Sequence, residues 1–195
     1  AHSVTVKSFY ICKYEVTQEL WQAVMNSNPS GSFDGTQSQV KGQKKPVVNV
    51  SRQECNEFIS KLNMLTGRIY RLPTEEEWEY AARGGQKSKH YRFAGSDNIE
   101  DIAWYRDNAN RSTHPVGEKQ PNELGIYDMC GNVWEWTETP AHSYSVDVNP
   151  EGNCFIRRGG SWWHEEKNCR VSRRYASDHT KKTSGLGLRV IIRIE

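Results

Sequence analysis

The stretch RRGGSWWHEEKNCR, residues 157–170, brings a glycine pair, two tryptophans, a histidine and a cysteine into one short segment. A thiolate there is a nucleophile or a soft-metal ligand, and an imidazole is a base or a second ligand. The structural alternative makes Cys169 a buried small hydrophobe or half of a disulfide, and His164 an ordinary surface side chain. A second segment, YDMCGNVWEW, residues 127–136, offers oxygen chemistry instead. Asp128 and Glu135 flank a glycine that lets the chain turn inward, and a hard cation such as calcium takes carboxylates mixed with backbone carbonyls. The alternative here is that both carboxylates only accept backbone hydrogen bonds. The sequence contains no G-x-S-x-G elbow, no H-E-x-x-H and no phosphate-binding glycine loop.

A third segment, residues 162–184, is rich in side chains that recognise rather than react. Trp163, His164, Arg173, Tyr175, Ser177, Asp178 and His179 combine aromatic area, both charge signs and small hydroxyls, with almost no aliphatic residues between them. Tyrosine and tryptophan supply contact area at low entropy cost, and short polar side chains adapt their hydrogen bonds. GGSWW before it and LGLRVIIRI after it would hold the ends of such a loop.

These segments need elements to position them. VTVKSFYICKYEV reads as a strand, and TQELWQAVM as a short helix ended by Asn28-Pro29. PVVNV reads as a short strand. Ser51 with Glu54, and Thr74 with Glu77, form capping boxes that open two further helices. In the first of these Cys55, Phe58, Ile59, Leu62 and Leu65 share a face, and Gly67 closes it. In the second, glutamates occupy the positive N-terminal end, Arg83 the negative end, and Gly84-Gly85 stops it. Beyond residue 85, IAWY, GIYDM, NVWEW, CFIRRGGSW and LGLRVIIRI read as short twisted strands between loops. The last is the strongest strand and is expected to pair with the N-terminal one. Of Trp134 and Trp136, one is expected in the core and one at the surface. The class is α+β, with a few early helices and then small antiparallel sheets among many loops.

At 195 residues the chain suits a single domain, residues 1–195. Its net charge of +2 provides neither a nucleic-acid footprint nor a polybasic membrane stripe. No apolar run is long enough to span a bilayer. The five cysteines contain no C-x-x-C pair, which argues against a structural zinc site and leaves the redox compartment open.

Read in order, YEVTQELWQAVM, RLPTEEEWEYAARGG, NELGIYDMCGNVWEW, RRGGSWW and GLGLR resemble the formylglycine-generating-enzyme (sulfatase-modifying factor) family over nearly the whole chain. The resemblance implies that family's type of C-type lectin fold. It also implies, for oxidases of the family, two cysteines that bind Cu(I), three residues after the GGS serine and five further on. Those positions are His164 and Cys169, so one sulfur is replaced by imidazole and copper is not expected. The resemblance places calcium at Asp128, the carbonyls of Gly131 and Val133, and Glu135. Within the fold, the chain is similar to the variable proteins of diversity-generating retroelements, whose diversified codons fall in the last segment. Tyr175, Ser177, Asp178, His179 and Thr183 fit the residues such diversification produces, whereas Glu165, Glu166, Lys181 and Lys182 fit it less directly.

The expectation is therefore a non-catalytic binder of an unknown protein or surface ligand, with no nucleic-acid partner. Its expected location is the cell surface or outside the cell, with a targeting segment outside this sequence. The alternatives are a copper-dependent oxidase of sulfatase cysteine acting through Cys169, and an accessory domain of a larger enzyme.

Overall fold

The computed structural model describes residues 4–31, 41–141 and 153–194. After the short strand β1 (Phe9–Ile11), Thr17 opens helix α1 (Gln18–Met25) by accepting from the Leu20 N–H. The helix ends earlier than the Asn28-Pro29 break: Asn26 adopts φ 55° and donates its N–H to the Gln22 carbonyl. Asparagine tolerates this left-handed conformation, so it caps the helix before proline is reached.

Both capping boxes form, at the starts of α2 (Arg52–Thr66) and α3 (Glu75–Ala82). In α2, Cys55, Phe58, Ile59 and Leu62 are buried, and Gly67 at φ 66° closes the helix. Leu65, expected on the same face, is 68 % exposed because the helix has by then run past its partners. PVVNV forms no strand: Pro46 makes an isolated bridge to Thr17, while Val47, Val48 and Val50 are fully buried. IAWY also departs from expectation: Ile102 ends a one-turn helix, α4 (Ile99–Ile102), capped by Asn98, and Trp104 makes an isolated bridge to Gly131, while GIYDM forms no strand.

Two small sheets follow. The first has the order β1–β7–β2, with β2 (Tyr70–Arg71) and β1 both antiparallel to β7 (Ile191–Arg193). The second has the order β5–β4–β3–β6, from β3 (Trp134–Pro140), β4 (Cys154–Arg158), β5 (Arg174–Asp178) and β6 (Leu186–Gly187). LGLRVIIRI thus pairs with the N-terminal strand as expected, but it is divided between two sheets. Its middle still bonds the N-terminal segment, through Val16 N–H to Leu188 O and Cys12 N–H to Val190 O. VTVKSFYICKYEV is accordingly a strand only over its central three residues. Residues 174–178, expected as part of a loop, pair with β4 along their full length.

Apolar side chains collect in two clusters. One joins α1 and α2 to Trp134, Trp136 and Leu186; the other joins Trp78 and Ala81 of α3 to Phe93, Met129, Cys130 and Cys169. Trp134 and Trp136 are both fully buried. The expectation of one inside and one outside fails because residues two apart on a strand share a face, and that face is covered. Among the described residues, no helix is long and apolar enough to cross a membrane.

Candidate ligand-binding site

Register sorts the four-stranded sheet into two chemically different faces. Directly opposed residues share a face, so Glu135, Arg158 and Arg174 lie on one side. Trp136, Arg157 and Tyr175 lie on the other, together with Trp134 and Ser177.

Helix α3 packs on the first face and its acidic residues find partners there. Arg158, fully buried, pairs with Glu79, lies 3.6 Å from Glu75, and donates to the Val171 and Arg173 carbonyls. Arg174 clamps Glu75 through two nitrogens. Glu135 accepts from Trp78 Nε1 at 2.6 Å and from Arg189 at 2.8 Å, with both members of the ion pair fully buried. The first-turn glutamates of α3 therefore serve cross-element ion pairs as well as the helix dipole.

On the second face Trp134 forms a floor. His164 meets it edge-on with centroids 5.4 Å apart, Tyr175 lies at 6.0 Å, and the Arg157 guanidinium stands 5.0 Å from the Trp134 ring. Trp163 stacks on Trp162, contacts the His164 ring at 5.3 Å, and remains 46 % exposed. Tyr175 is 39 % exposed, so the two aromatics form a rim above buried groups. His164 Nδ1 receives the Trp134 indole N–H at 3.2 Å and lies 2.6 Å from Ser161 Oγ. An indole N–H only donates, so Nδ1 is the unprotonated nitrogen and Nε2 carries the hydrogen. Burial first, then the charges of Arg157 and Arg173, lower the His164 pKa to about 4, and the ring is neutral at physiological pH.

The seven expected contact residues separate. His164 and Tyr175 contact Trp134, Trp163 contacts His164, Arg173 acts on His164 as a nearby charge, and Ser177 is buried on the same face of the sheet as Tyr175. Asp178 points to the opposite side of the strand and accepts from Thr180, holding the following turn. His179 stands near Ser51 and Glu54 at the start of α2, and its backbone carbonyl accepts from Arg52. Sequence reasoning missed Arg157, Ser161 and the role of Trp134. The alternation in CFIRR was the available signal, since adjacent arginines on a strand must face opposite ways.

Cys169 sits elsewhere. Its sulfur is fully buried in the second apolar cluster near Cys130, packed under Gly160, where any Cβ would stand 2.6 Å from it. Gly160 has φ 81°, so the tight GG turn needs glycine on both counts. Burial pushes the Cys169 thiol far up, so it is protonated in the metal-free chain. His164 Nδ1 is engaged by Trp134 and Ser161, and the Cys169 thiol faces the Glu165 carbonyl at 3.9 Å.

The calcium positions lie behind the sheet, in a loop with Asp128 (φ 59°), Gly131 (φ 75°) and Asn132 (φ 52°). A Cβ at Gly131 would meet the Trp104 carbonyl at 2.3 Å. Asp128 accepts from the Gly117 N–H, and Glu15, also buried, accepts from Asn132 and the Val133 N–H. Glu15, Asp128 and Glu135 thus face a single guanidinium, Arg189. Burial raises Asp128 to about 6 and Glu15 well above its usual value, with neighbouring carboxylates adding to both. Three buried carboxylates against one guanidinium leave the cluster to be balanced by protons, which the raised values favour, or by a cation. No three side chains among the described residues converge into a cage, so backbone carbonyls would have to complete the shell.

Similarity to known proteins covers the whole region just described. The sulfatase-modifying factor enzyme 1-like domain matches residues 1–194. A chaperone protein, LppX of Paenibacillus barcinonensis, is 35 % identical across 97 % of this chain and 81 % of its own length. The formylglycine-generating enzyme of Streptomyces coelicolor is 32 % identical across 80 % of this chain, and the match spans only 55 % of that enzyme. Among solved structures, Treponema denticola variable protein 1 superposes with a TM-score of 0.86 at 29 % identity, covering 99 % of this chain and 87 % of the other.

Proposed function

We propose, from the premise that the chain belongs to the sulfatase-modifying factor enzyme 1-like family, that it is a non-catalytic member that binds a ligand over the Trp134 floor. The observation that carries this reading is the fate of the two family metal positions. His164 is a neutral, hydrogen-bonded wall of an aromatic site, and Cys169 is a protonated thiol in a separate apolar cluster. What remains is Trp163 and Tyr175 exposed above a rigid base, the composition of an anchor-bearing recognition surface. The likeness to Treponema denticola variable protein 1 supports the same reading.

Selection of a displayed peptide library on the purified protein tests it. Enriched peptides should lose at least about tenfold in affinity against Trp163→Ala and Tyr175→Ala. Both variants should melt near the wild-type temperature, because the rim is half-exposed. Turnover of a sulfatase-motif cysteine peptide with Cu(I) and oxygen, abolished by Cys169→Ser, would instead establish the oxidase.

The reading includes a structural calcium held by Asp128, the carbonyls of Gly131 and Val133, and Glu135, supported by the surplus of buried carboxylates there. A bound calcium would offset that charge and fix a loop otherwise held by left-handed residues.

A second reading, as an accessory protein that docks onto a client, is supported by the name of the LppX relative. It is also favoured by an apolar groove beside the first sheet, where Tyr10 and Ile69 are each 66 % exposed and Ile194 is 42 % exposed. Loss of client binding in Ile69→Asp, with Trp163→Ala unaffected, would select it.

A further inference from the structure

Arg157 is 7 % exposed, yet no carboxylate among the described residues pairs with it. Its Nε is buried without a hydrogen-bond partner, as is the Nε of Arg158, so the two differ in their counter-ions and not in this atom. The guanidinium lies 5.0 Å from the Trp134 ring and 4.5 Å from the Tyr175 ring, and Tyr175 is its side-chain hydrogen-bonding partner among the described residues. Aromatic faces attract a cation but do not neutralise it. A buried charge is ordinarily paired, because desolvation without a counter-ion is costly. The neighbouring residue shows that this fold can do so: Arg158 has Glu79, Glu75 and two carbonyls.

Other charged groups nearby deepen the asymmetry. Arg173 is exposed beside the site and, with Arg157, acts on His164 as a positive charge. Glu165 is already held by Arg106 at 3.0 Å and Lys167 at 2.7 Å. Glu75 is clamped by Arg174 on the far side of the sheet. The neutral His164 has Nε2–H as a further donor, while the buried Ser161 hydroxyl is engaged by His164 Nδ1.

We propose that the ligand of this site carries an oxyanion, a carboxylate or a phosphate or sulfate group, that seats against Arg157 while its apolar part lies between Trp163 and Tyr175. The inference rests on the binding reading and deepens it. A guanidinium presents donors in a fixed planar fork that matches such oxygens two at a time, and a desolvated one binds them more strongly than a surface lysine. Arg157 is then the specificity-determining residue, and Arg173 strengthens the field that draws the ligand in.

The test is a titration of the full chain followed by the indole N–H signals of Trp134 and Trp163 in nitrogen-15 NMR spectra. Acetate, phosphate and sulfate are each added against sodium chloride at matched ionic strength, which removes general screening. Saturable shifts with at least one oxyanion, absent with chloride, are expected, and the stronger arm identifies planar or tetrahedral recognition. Arg157→Met should weaken that binding at least about tenfold, Arg157→Lys should retain part of it, and Arg173→Ala should weaken it about twofold to threefold. No saturable shift in any arm, or equal binding by Arg157→Met, overturns the proposal. If Arg157→Met fails to fold, undiminished binding by both Arg157→Lys and Arg173→Ala overturns it equally. Library peptides that depend on Trp163 but carry no acidic group sink the oxyanion alone, whereas a library without Trp163-dependent binders sinks the binding reading itself.

Discussion

Arg157 and Arg158 are neighbours on one strand and opposites in environment. Arg158 belongs to a face of ion pairs under α3, where it meets Glu75 and Glu79 while Glu135 meets Arg189. Arg157 belongs to a face of aromatic rings, where its charge is held by π-systems and one hydroxyl. A sheet with one face of ion pairs and one whose buried arginine has no counter-ion has divided its labour: the first holds the fold, and the second is left short of a partner. The same substitution at the two positions is therefore a sharp probe of the comparison.

Arg158→Met should have the largest effect. It leaves Glu79 with Arg83 alone and two buried carbonyls of the following segment without donors, so unfolding free energy should fall by about 2–4 kcal/mol. Chemical denaturation measures this directly. A loss below about 1 kcal/mol would mean the network face is not what holds the sheet, and the contrast with Arg157 would disappear.

Calcium tests the same face from behind. If the carboxylate surplus around Arg189 is completed by the ion, saturating calcium should raise stability by about 2–3 kcal/mol at a hundredfold excess over its dissociation constant. EDTA should reverse it, and Asp128→Ala should abolish the difference. A melting temperature indifferent to calcium would mean the carboxylates are balanced by protonation, as the raised values of Glu15 and Asp128 allow.

How much of this contrast the sequence discloses depends on the range of the interaction. The capping boxes at Ser51 and Thr74 are legible because donor and acceptor lie three residues apart. The strand character of NVWEW and CFIRR is legible from residue type, and the order of motifs points to the family. The faces are not legible, because they are set by register between strands whose pairing is non-local. Trp134 and Trp136 were separable only by knowing what covers the sheet. Tyr175 and Asp178 look equivalent in a polar segment, yet β5 sends them to opposite sides. Arg157 was invisible for the same reason: a doublet of arginines does not say which one has a counter-ion.

The neutral His164 predicts a modest pH effect confined to the aromatic face. Its folded pKa of about 4 lies below its ordinary value of 6.5. At this site the unfolded chain therefore binds more protons between these values. The ring's contribution to stability rises with pH across that window and is lost as pH falls from about 6.5 toward 4, opposite in sign to that of the raised Asp128. With solvent screening of a ring that is not fully buried, the contribution is on the order of 1 kcal/mol. It should vanish in His164→Gln, while Arg158→Met should leave the pH slope in place. A wild-type slope equal to that of His164→Gln would show the ring titrating freely, outside the influence of Arg157 and Arg173.

Arg157→Met should have the smallest effect on stability, and its sign is what matters. Removing the guanidinium forfeits two cation–π contacts, each worth about 0.5–2 kcal/mol. It also relieves the desolvation of an unpaired charge, which is of comparable or larger size, and methionine fills much of the same volume with a flexible apolar chain. The two terms nearly cancel, so stability should change by no more than about 1 kcal/mol, and toward gain rather than loss. At the adjacent position the identical substitution loses several times as much, because there the charge had partners to abandon. A loss at Arg157 as large as that at Arg158 would mean the aromatic face already satisfies its cation, and that no ligand is needed to complete it.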